Sequence, residues 1–519
     1  MILKQTSLLR STSLVSLMTF LSRIMGFVRD MVIAQLFGAA AGMDAFYVAF
    51  KIPNFMRRLF SEGSFSQAFV PVLSEYQQTR SLEDVRTFLA RVAGTLSTIL
   101  MLVTVVGIVA APIIIRIFAP GFGADSERFA LASTMLQLTF PYLMLISLTG
   151  MAGAILNTYG YFGVPAFTPV FLNISMIVCA LYLSPHCAIP VVGLAWGVLI
   201  AGIVQLAFQI PFLYRRNLLI KPQLKRNDDG VMRVMKLMVP SLFGVSVAQI
   251  NLLIDTIFAS FLPVGSVTWL YFTDRLVDFP LGVFGVAIAT VILPHLSRRK
   301  AEQNIEHFSQ ALDWGLRLLL LIGLPAGIGL AVFAMPAIAT CFAYGKYSAW
   351  DVVQTQQSLI TLGIGVPGFM LVKVLASGFY ACQNIKTPVK VGIWSMVVNS
   401  ILCALLIRPL AHAGLTLASS IASYVNCGVL LVLLVRRKIF HLQPGWGRYL
   451  LQLLVASSAM TAYLLFIKAD LNIWMEWTRF VRLGWLLWHV SISAIIYIAT
   501  LVIFGVRISQ FRGKIKVGS

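Results

Sequence analysis

Between Ser22 and Glu62 an otherwise apolar stretch carries Arg23, Arg29, Asp30, Asp44, Lys51, Arg57, Arg58 and Glu62. Its length and apolar content suit two membrane-spanning helices joined at the Gly-Ala run from Gly38 to Gly42. A charge near the bilayer centre costs about 2.5–3.5 kcal/mol on insertion scales, so it is kept where it faces a bundle interior or a water-filled cavity. In a helix, Arg23 and Asp30 share a face and Arg29 lies about 120° away. Asp44, Lys51 and Arg58 form a second stripe at the same seven-residue spacing, with Arg57 close by, and Pro53 disturbs the helix there. A later run, YFTDRLVDFP, places Asp274, Arg275 and Asp278 just before Pro280. Carboxylates are too few to neutralise these cations. A net-positive cavity expects an anionic ligand, and guanidinium suits phosphate because it offers paired donors and stays charged. The competing reading is that the arginines snorkel to headgroups or form structural ion pairs.

The elements that must position these groups follow from composition. Of 519 residues, 59% are hydrophobic and 11% charged, and the mean hydropathy is +0.86. Soluble domains carry about 25% charged residues. Repeated apolar runs of roughly 20 residues exclude a β-barrel, so the fold class is an all-α polytopic membrane protein. Fourteen spans are expected, near 11–38, 43–76, 85–118, 127–157, 163–184, 190–214, 234–262, 265–297, 308–342, 351–381, 388–409, 411–435, 448–468 and 481–506. The net charge of +21 gathers in alternate short loops, at Arg80 and Arg86, Arg215 to Arg226, Arg298 to Lys300, Lys386, Arg436 to Lys438, and Arg507 to Lys516. The opposite loops hold little beyond Lys346, Arg408, Lys468 and Arg479. That asymmetry orients helices, places both termini in the cytoplasm and argues against nucleic-acid binding. Lys4 and Arg10 mimic a signal peptide, but Arg23 interrupts the apolar run and no small-residue cleavage site follows, so a retained first helix is expected.

The chain repeats itself. Gly193-Leu194 to Arg215-Arg216 matches Gly414-Leu415 to Arg436-Arg437 at an offset of 221, PVLS at Pro71 resembles PHLS at Pro294 at an offset of 223, and Pro165 matches Pro388 at the same offset. Two pseudo-twofold related six-helix lobes are therefore expected, 1–218 and 234–438, with a basic linker at 219–233 and two C-terminal helices in 439–519. Six is even, so the lobes insert in the same sense and their pseudo-axis runs along the membrane normal, with a cavity between them.

Other chemistry is thinly represented. The sequence has no GxxxxGK[ST] loop, so ATP is not expected as the driver. The six cysteines lack zinc spacing and read as small apolar packers. His295 and His412 read as structural. Asp255, Asn399 and Thr416 form a weak cation-site candidate, and no cofactor or metal is expected, with dependence on membrane potential or a monovalent cation left open. A drug or cation antiporter should concentrate carboxylates in its cavity, an enzyme acting on polyprenyl phosphates should show an acidic metal or base cluster, and a silent scaffold has no need of intramembrane arginines.

The runs SRIMGFVRD, MDAFYVAFKIPNFMRRLFSEGSFSQAFVPVLSEY and YFTDRLVDFP closely resemble the MurJ-type (MviN) lipid II flippases, and the likeness extends through YGKYSAWD, VKVLASGFYACQNIKTPVK and QPGWGRYLLQL. The resemblance implies the multidrug/oligosaccharidyl-lipid/polysaccharide exporter fold. It also implies movement of undecaprenyl-diphosphate-linked peptidoglycan precursor to the outer leaflet of the bacterial inner membrane. It carries Arg23, Arg29, Asp44, Arg57 and Arg275 over as functional cavity residues, with Asp30, Lys51 and Asn54 in the same motifs. Where glutamate is expected in the third motif this chain has Asp278, which with Asp274 is assigned to gating ion pairs. Relatives that bind sodium carry a further carboxylate near the position of Cys403, where this chain has none. Asp44 is expected to pair with a cavity arginine in one access state. Spans 13 and 14, with Trp474, Trp477, Trp485 and Trp488, are expected to form a groove for the lipid tail. The expected partners are lipid II, membrane lipids and cell-wall synthesis or division proteins, with no nucleic acid, and the chain is expected to act as a monomer. A flippase for another polyprenyl-diphosphate glycan would share the arginines.

Overall fold

A computed structural model describes residues 2–58, 65–123, 126–224, 228–302, 304–467 and 470–506, with the side chains of 2–12 and 239–252 outside that description. Glu62, Lys225, Arg226, Lys468 and the tail cations from Arg507 onward lie outside the described residues, as do the side chains of Lys4 and Arg10. Among the described residues the regular elements are all helices. Its first elements are α1 (Ile2–Phe37), α2 (Ala41–Arg57), α3 (Ser66–Thr79), α4 (Leu82–Val109), α5 (Ala111–Phe118), α6 (Glu127–Thr139) and α7 (Pro141–Thr158). Then come α8 (Gly163–Phe167), α9 (Pro169–Val178), α10 (Val192–Arg215), α11 (Asp229–Ser260), α12 (Ser266–Pro280), α13 (Val286–Ala301), α14 (Ile305–Val332) and α15 (Ala334–Phe342). The last are α16 (Ala349–Ala381), α17 (Lys386–Arg436), α18 (Trp446–Phe466), α19 (Leu471–Glu476) and α20 (Arg479–Ile503). Among the described residues ten helical segments are long and apolar enough to cross a membrane. One of them, α17, covers two of the expected spans, joined across a kink at Ala411 (φ 48°, ψ −129°).

Element boundaries repeat as the sequence does. Shifting α4 by 223 residues gives 305–332, the bounds of α14, and shifting α5 gives 334–341, within one residue of α15. Shifted in the same way, α2 lands on 264–280, over α12. A wide-turn segment, Leu281–Gly285, separates α12 from α13.

The chain divides into two compact units, Met1–Thr268 and Trp269–Ser519. The second unit begins within α12, and α11 packs on α3, α4 and α5. The linker is itself fastened to α4. Gln223 N–H donates to the Ala90 carbonyl (2.9 Å), and a Cβ on Gly94 would fall 2.2 Å from the Gln223 carbonyl oxygen. Asp228 then caps α11 through Val231 N–H (3.1 Å) and pairs with Arg91. Burial pushes the Asp228 carboxyl up, but the Val231 N–H and the Arg91 guanidinium outweigh it and hold the group below the usual carboxylate range.

Small residues set the packing in the second unit. In lipid there is little hydrophobic force between helices, so close van der Waals contact and interhelical hydrogen bonds carry association. A Cβ at Gly365 would lie 2.8 Å from the Cα of Ser420, whose hydroxyl donates to the Thr361 carbonyl (2.7 Å). The second half of α17 thus lies flush on α16. Gly365→Ala should lower the unfolding temperature of the purified protein, an overpacking cost of about 1–3 kcal/mol. Gly329→Ala, where a Cβ meets nothing within 4 Å, should leave it unchanged. Equal losses would show that backbone approach is not what Gly365 provides.

Candidate substrate-binding site

Within the first unit, Arg29 and Asp30 form a buried ion pair. Arg29 donates from Nε (2.9 Å) and Nη2 (2.6 Å) to Asp30 Oδ1, with side-chain exposures of 6% and 0%. Nη1 reaches across to α9, to Asn173 Oδ1 at 3.2 Å and the Met176 sulfur at 3.7 Å. Arg23 is exposed on α1. On α2, Lys51 donates to Thr256 of α11 (3.2 Å), Arg57 Nε donates to Asn54 Oδ1 (3.2 Å), and Arg58 is exposed.

Asp44 is fully buried at the start of α2. Among the described residues its hydrogen-bond donors are the Gly265 N–H (2.7 Å), the Thr268 N–H (3.0 Å) and the Thr268 hydroxyl (2.8 Å). These partners follow from the turn that precedes α12. Gly265 has φ 97°, a conformation that favours glycine. It precedes α12 and has no side chain to cap the exposed N–H groups there. Asp44 supplies that cap from another helix, where the helix dipole favours a negative charge.

In the second unit, Trp269 Nε1 donates to Asp351 Oδ1 (2.9 Å) and Thr273 Oγ1 to the Thr355 carbonyl (3.4 Å), which turns one face of α12 onto α16. On its remaining surface Asp274 and Asp278 are exposed and Arg275 is half-buried.

The cation-site candidates do not assemble within either unit. Asp255 belongs to the first unit, whereas Asn399 and Thr416 belong to the second. Asn399 Oδ1 accepts from Ser419 (3.3 Å) and Cys403 (3.8 Å). Thr416 shares a hydrogen bond with Thr361 (2.6 Å) and donates to the Ala413 carbonyl (3.0 Å). Both stitch α17 together or onto α16. Among the described residues no group of three His, Cys, Asp or Glu side chains could hold a metal ion. His412 is a buried cross-link, with Nδ1 on Ser358 (2.7 Å) and Nε2 on Gln354 (2.8 Å).

The tryptophans of the C-terminal hairpin are packed more than presented. Trp474 is buried against Trp477 and Trp485, and Phe333 stacks on Trp485. Arg482, 3% exposed, donates to the carbonyls of Ala339 (3.1 Å) and Ala343 (2.9 Å) at the end of α15. Trp488, by contrast, is 65% exposed. Tyr449, Leu453, Met460 and Tyr497 fill the seam between this hairpin and α14, so a tail groove on these helices would use another of their faces.

Sequence spacing missed Asn173, the Gly265–Thr268 turn and Asp351. The first is an ordinary asparagine 144 residues from its partner. Gly265 carried a turn signal in LPVGS, but nothing local named Asp44 as its cap.

The sequence model of the family described as lipid II flippase MurJ matches residues 33–483. A probable lipid II flippase MurJ from Haemophilus influenzae is 44% identical over 503 residues, covering 94% of this chain and 98% of its own. Another from Vibrio cholerae is 43% identical, covering 97% and 98%. The lipid II flippase MurJ of Burkholderia cenocepacia is 38% identical over 519 residues, covering 98% and 100%. Among solved structures, a lipid II flippase MurJ in an inward closed conformation superposes with a TM-score of 0.78 at 28% identity, covering 95% of this chain and 97% of that one. An inward-facing multidrug resistance MATE transporter of the MOP superfamily gives 0.68 at 15% identity, covering 80% and 94%, a likeness of fold alone.

The Asp44 cap makes a direct prediction. Asp44→Ala strands two buried N–H groups, at a cost of about 1–3 kcal/mol each. Ser266, fully buried beside them, should then become accessible. A cysteine placed at position 266 on a cysteine-free background should resist a maleimide when Asp44 is present and react when it is alanine. Equal protection in both would show that the cap does not hold this turn.

Proposed function

The chain belongs to the lipid II flippase MurJ family, and we propose that it moves lipid II from the inner to the outer leaflet of the bacterial cytoplasmic membrane. It is a transporter and not an enzyme. The observation that carries this reading is the match at 43–44% identity over at least 94% of the chain to relatives bearing that name, and the family model's stretch, residues 33–483, holds Arg57 and Arg275. Arg29 and Arg57 of the first unit and Arg275 of the second supply the guanidinium groups for the diphosphate, together with Arg23. Lys51 and Asn54 stand beside them on α2. Guanidinium provides two donors in a fixed fork and cannot lose its charge, which suits a diphosphate entering a low-dielectric bundle.

Arg29 is 5% exposed, so cargo reaches it after a rearrangement uncovers it. We therefore read transport as alternating access, in which the two repeats change their relation around the arginines. Both termini lie in the cytoplasm, where the basic loops hold them. The chain works as a monomer without ATP. Membrane potential or a monovalent cation supplies the drive, and cell-wall synthesis or division proteins use the product. Asp30, Asp44, Asp274 and Asp278 balance the cations between access states.

Purified protein in vesicles should move fluorescent lipid II between leaflets. A cargo with a single phosphate should move far more slowly, since it loses one of two anionic groups. Arg29→Lys and Arg275→Lys should each cut the rate by about tenfold or more, the loss of a bidentate contact with charge retained, while the protein still accumulates. Equal transport of mono- and diphosphate cargo, or full rates in both lysine variants, would overturn the arginine–diphosphate assignment. No transfer of lipid II above protein-free vesicles would overturn the function.

A further inference from the structure

We infer that Asn173 is the positioning residue that presents Arg29 to the cargo diphosphate, a role that rests on the reading of Arg29 as a diphosphate contact. Asn173 sits near the middle of α9 and is 6% exposed. Both ends of its amide are used. Oδ1 accepts from Arg29 Nη1 (3.2 Å), and Nδ2 donates to the Ser22 carbonyl (3.1 Å). Ser22 and Arg29 are seven residues apart on α1. One short side chain can touch both because a helical side chain runs back toward the helix N-terminus, which carries the guanidinium over the turns that precede its own Cα.

This arrangement gives Arg29 a fixed support on each side. Asp30 holds Nε and Nη2, while Asn173 holds Nη1 from another helix. The two supports differ in charge. Asp30 neutralises the guanidinium, and a phosphate must compete with it. Asn173 orients the guanidinium through a neutral carbonyl and leaves its charge intact, so the group stays an anion ligand. The bond to the Ser22 carbonyl fixes α1 against α9 at the same point, so the arginine and the helix that bears it are registered by one amide. A planar fork held on both sides loses less freedom when a phosphate binds, which is the source of its advantage over lysine.

The choice of an amide is testable, because its isosteric acid keeps the shape and changes the charge. Asn173→Asp puts a second carboxylate on Arg29 and removes the donor to Ser22. Undecaprenyl diphosphate is the probe, with undecaprenol as the control for tail binding, and the full chain is used in detergent or nanodiscs. Asn173→Asp should weaken diphosphate binding by about tenfold or more, as expected when a charge-assisted contact is neutralised, and leave undecaprenol binding unchanged. Asn173→Ser, which keeps a small neutral acceptor, should lose less. In an Arg29→Ala background Asn173→Asp should add no further loss, since it acts through Arg29.

If Arg29→Ala itself leaves diphosphate binding unchanged, the functional reading of Arg29 falls. If Arg29→Ala weakens binding but neither Asn173→Asp nor Asn173→Ser does, the positioning role falls and the functional reading stands. The positioning role also falls if Asn173→Asp weakens binding equally with and without Arg29. Should Asn173→Asp fail to accumulate, Asn173→Ser in the two backgrounds decides by the same comparison.

Discussion

A guanidinium and a carboxylate joined inside an apolar bundle set the terms for the rest of this structure. Arg29 and Asp30 meet at 2.6 Å with almost no solvent exposure. Desolvating such a pair costs several kcal/mol per ion, and replacing it with apolar residues is often neutral or stabilising. The pair is therefore a poor device for stability and a good one for holding an arginine ready. Everything packed around it must satisfy its remaining donors or exclude water from it. Asn173 and Met176 meet the first need, and the close-packed helices of the first unit meet the second.

The same logic explains Asp44. A lone buried carboxylate in a membrane helix is expensive, and here it is matched by two backbone donors and a hydroxyl at the entry to α12. The charge is used as a helix cap. Arg482 is the mirror case, a buried cation satisfied by carbonyls at the end of α15. In both, a side chain from one helix completes the terminus of another, so polar groups that would be costly alone hold separate helices in register.

Much of the fold was legible in the sequence because its signals are local. Apolar runs marked the spans, basic loops marked their ends, and the offset of 223 residues reappears in the bounds of α4 and α14. The charged residues of α1, α2 and α12 were also legible, since a charge in an apolar run is conspicuous. What was not legible depends on partners far apart in the chain. Asn173 gains its meaning from Arg29, 144 residues away. The donors that meet Asp44 here, at Gly265 and Thr268, lie more than 220 residues away. The packing of α11 on α3, α4 and α5 is likewise a long-range relation that no spacing rule reveals. The hydrogen bonds of Asn399 and Thr416 within α17 and to α16 were equally hidden from spacing.

The central claim is that Arg29 is kept in the bundle to receive the cargo diphosphate. The most direct measurement is the structure of the protein with lipid II bound, read for the distance from the diphosphate oxygens to the Arg29 guanidinium. The account predicts contacts of about 2.7–3.2 Å, within hydrogen-bond range, with Arg29 uncovered. A diphosphate seated beyond reach of Arg29, with the Arg29 contacts to Asp30 and Asn173 as they stand here, would contradict it.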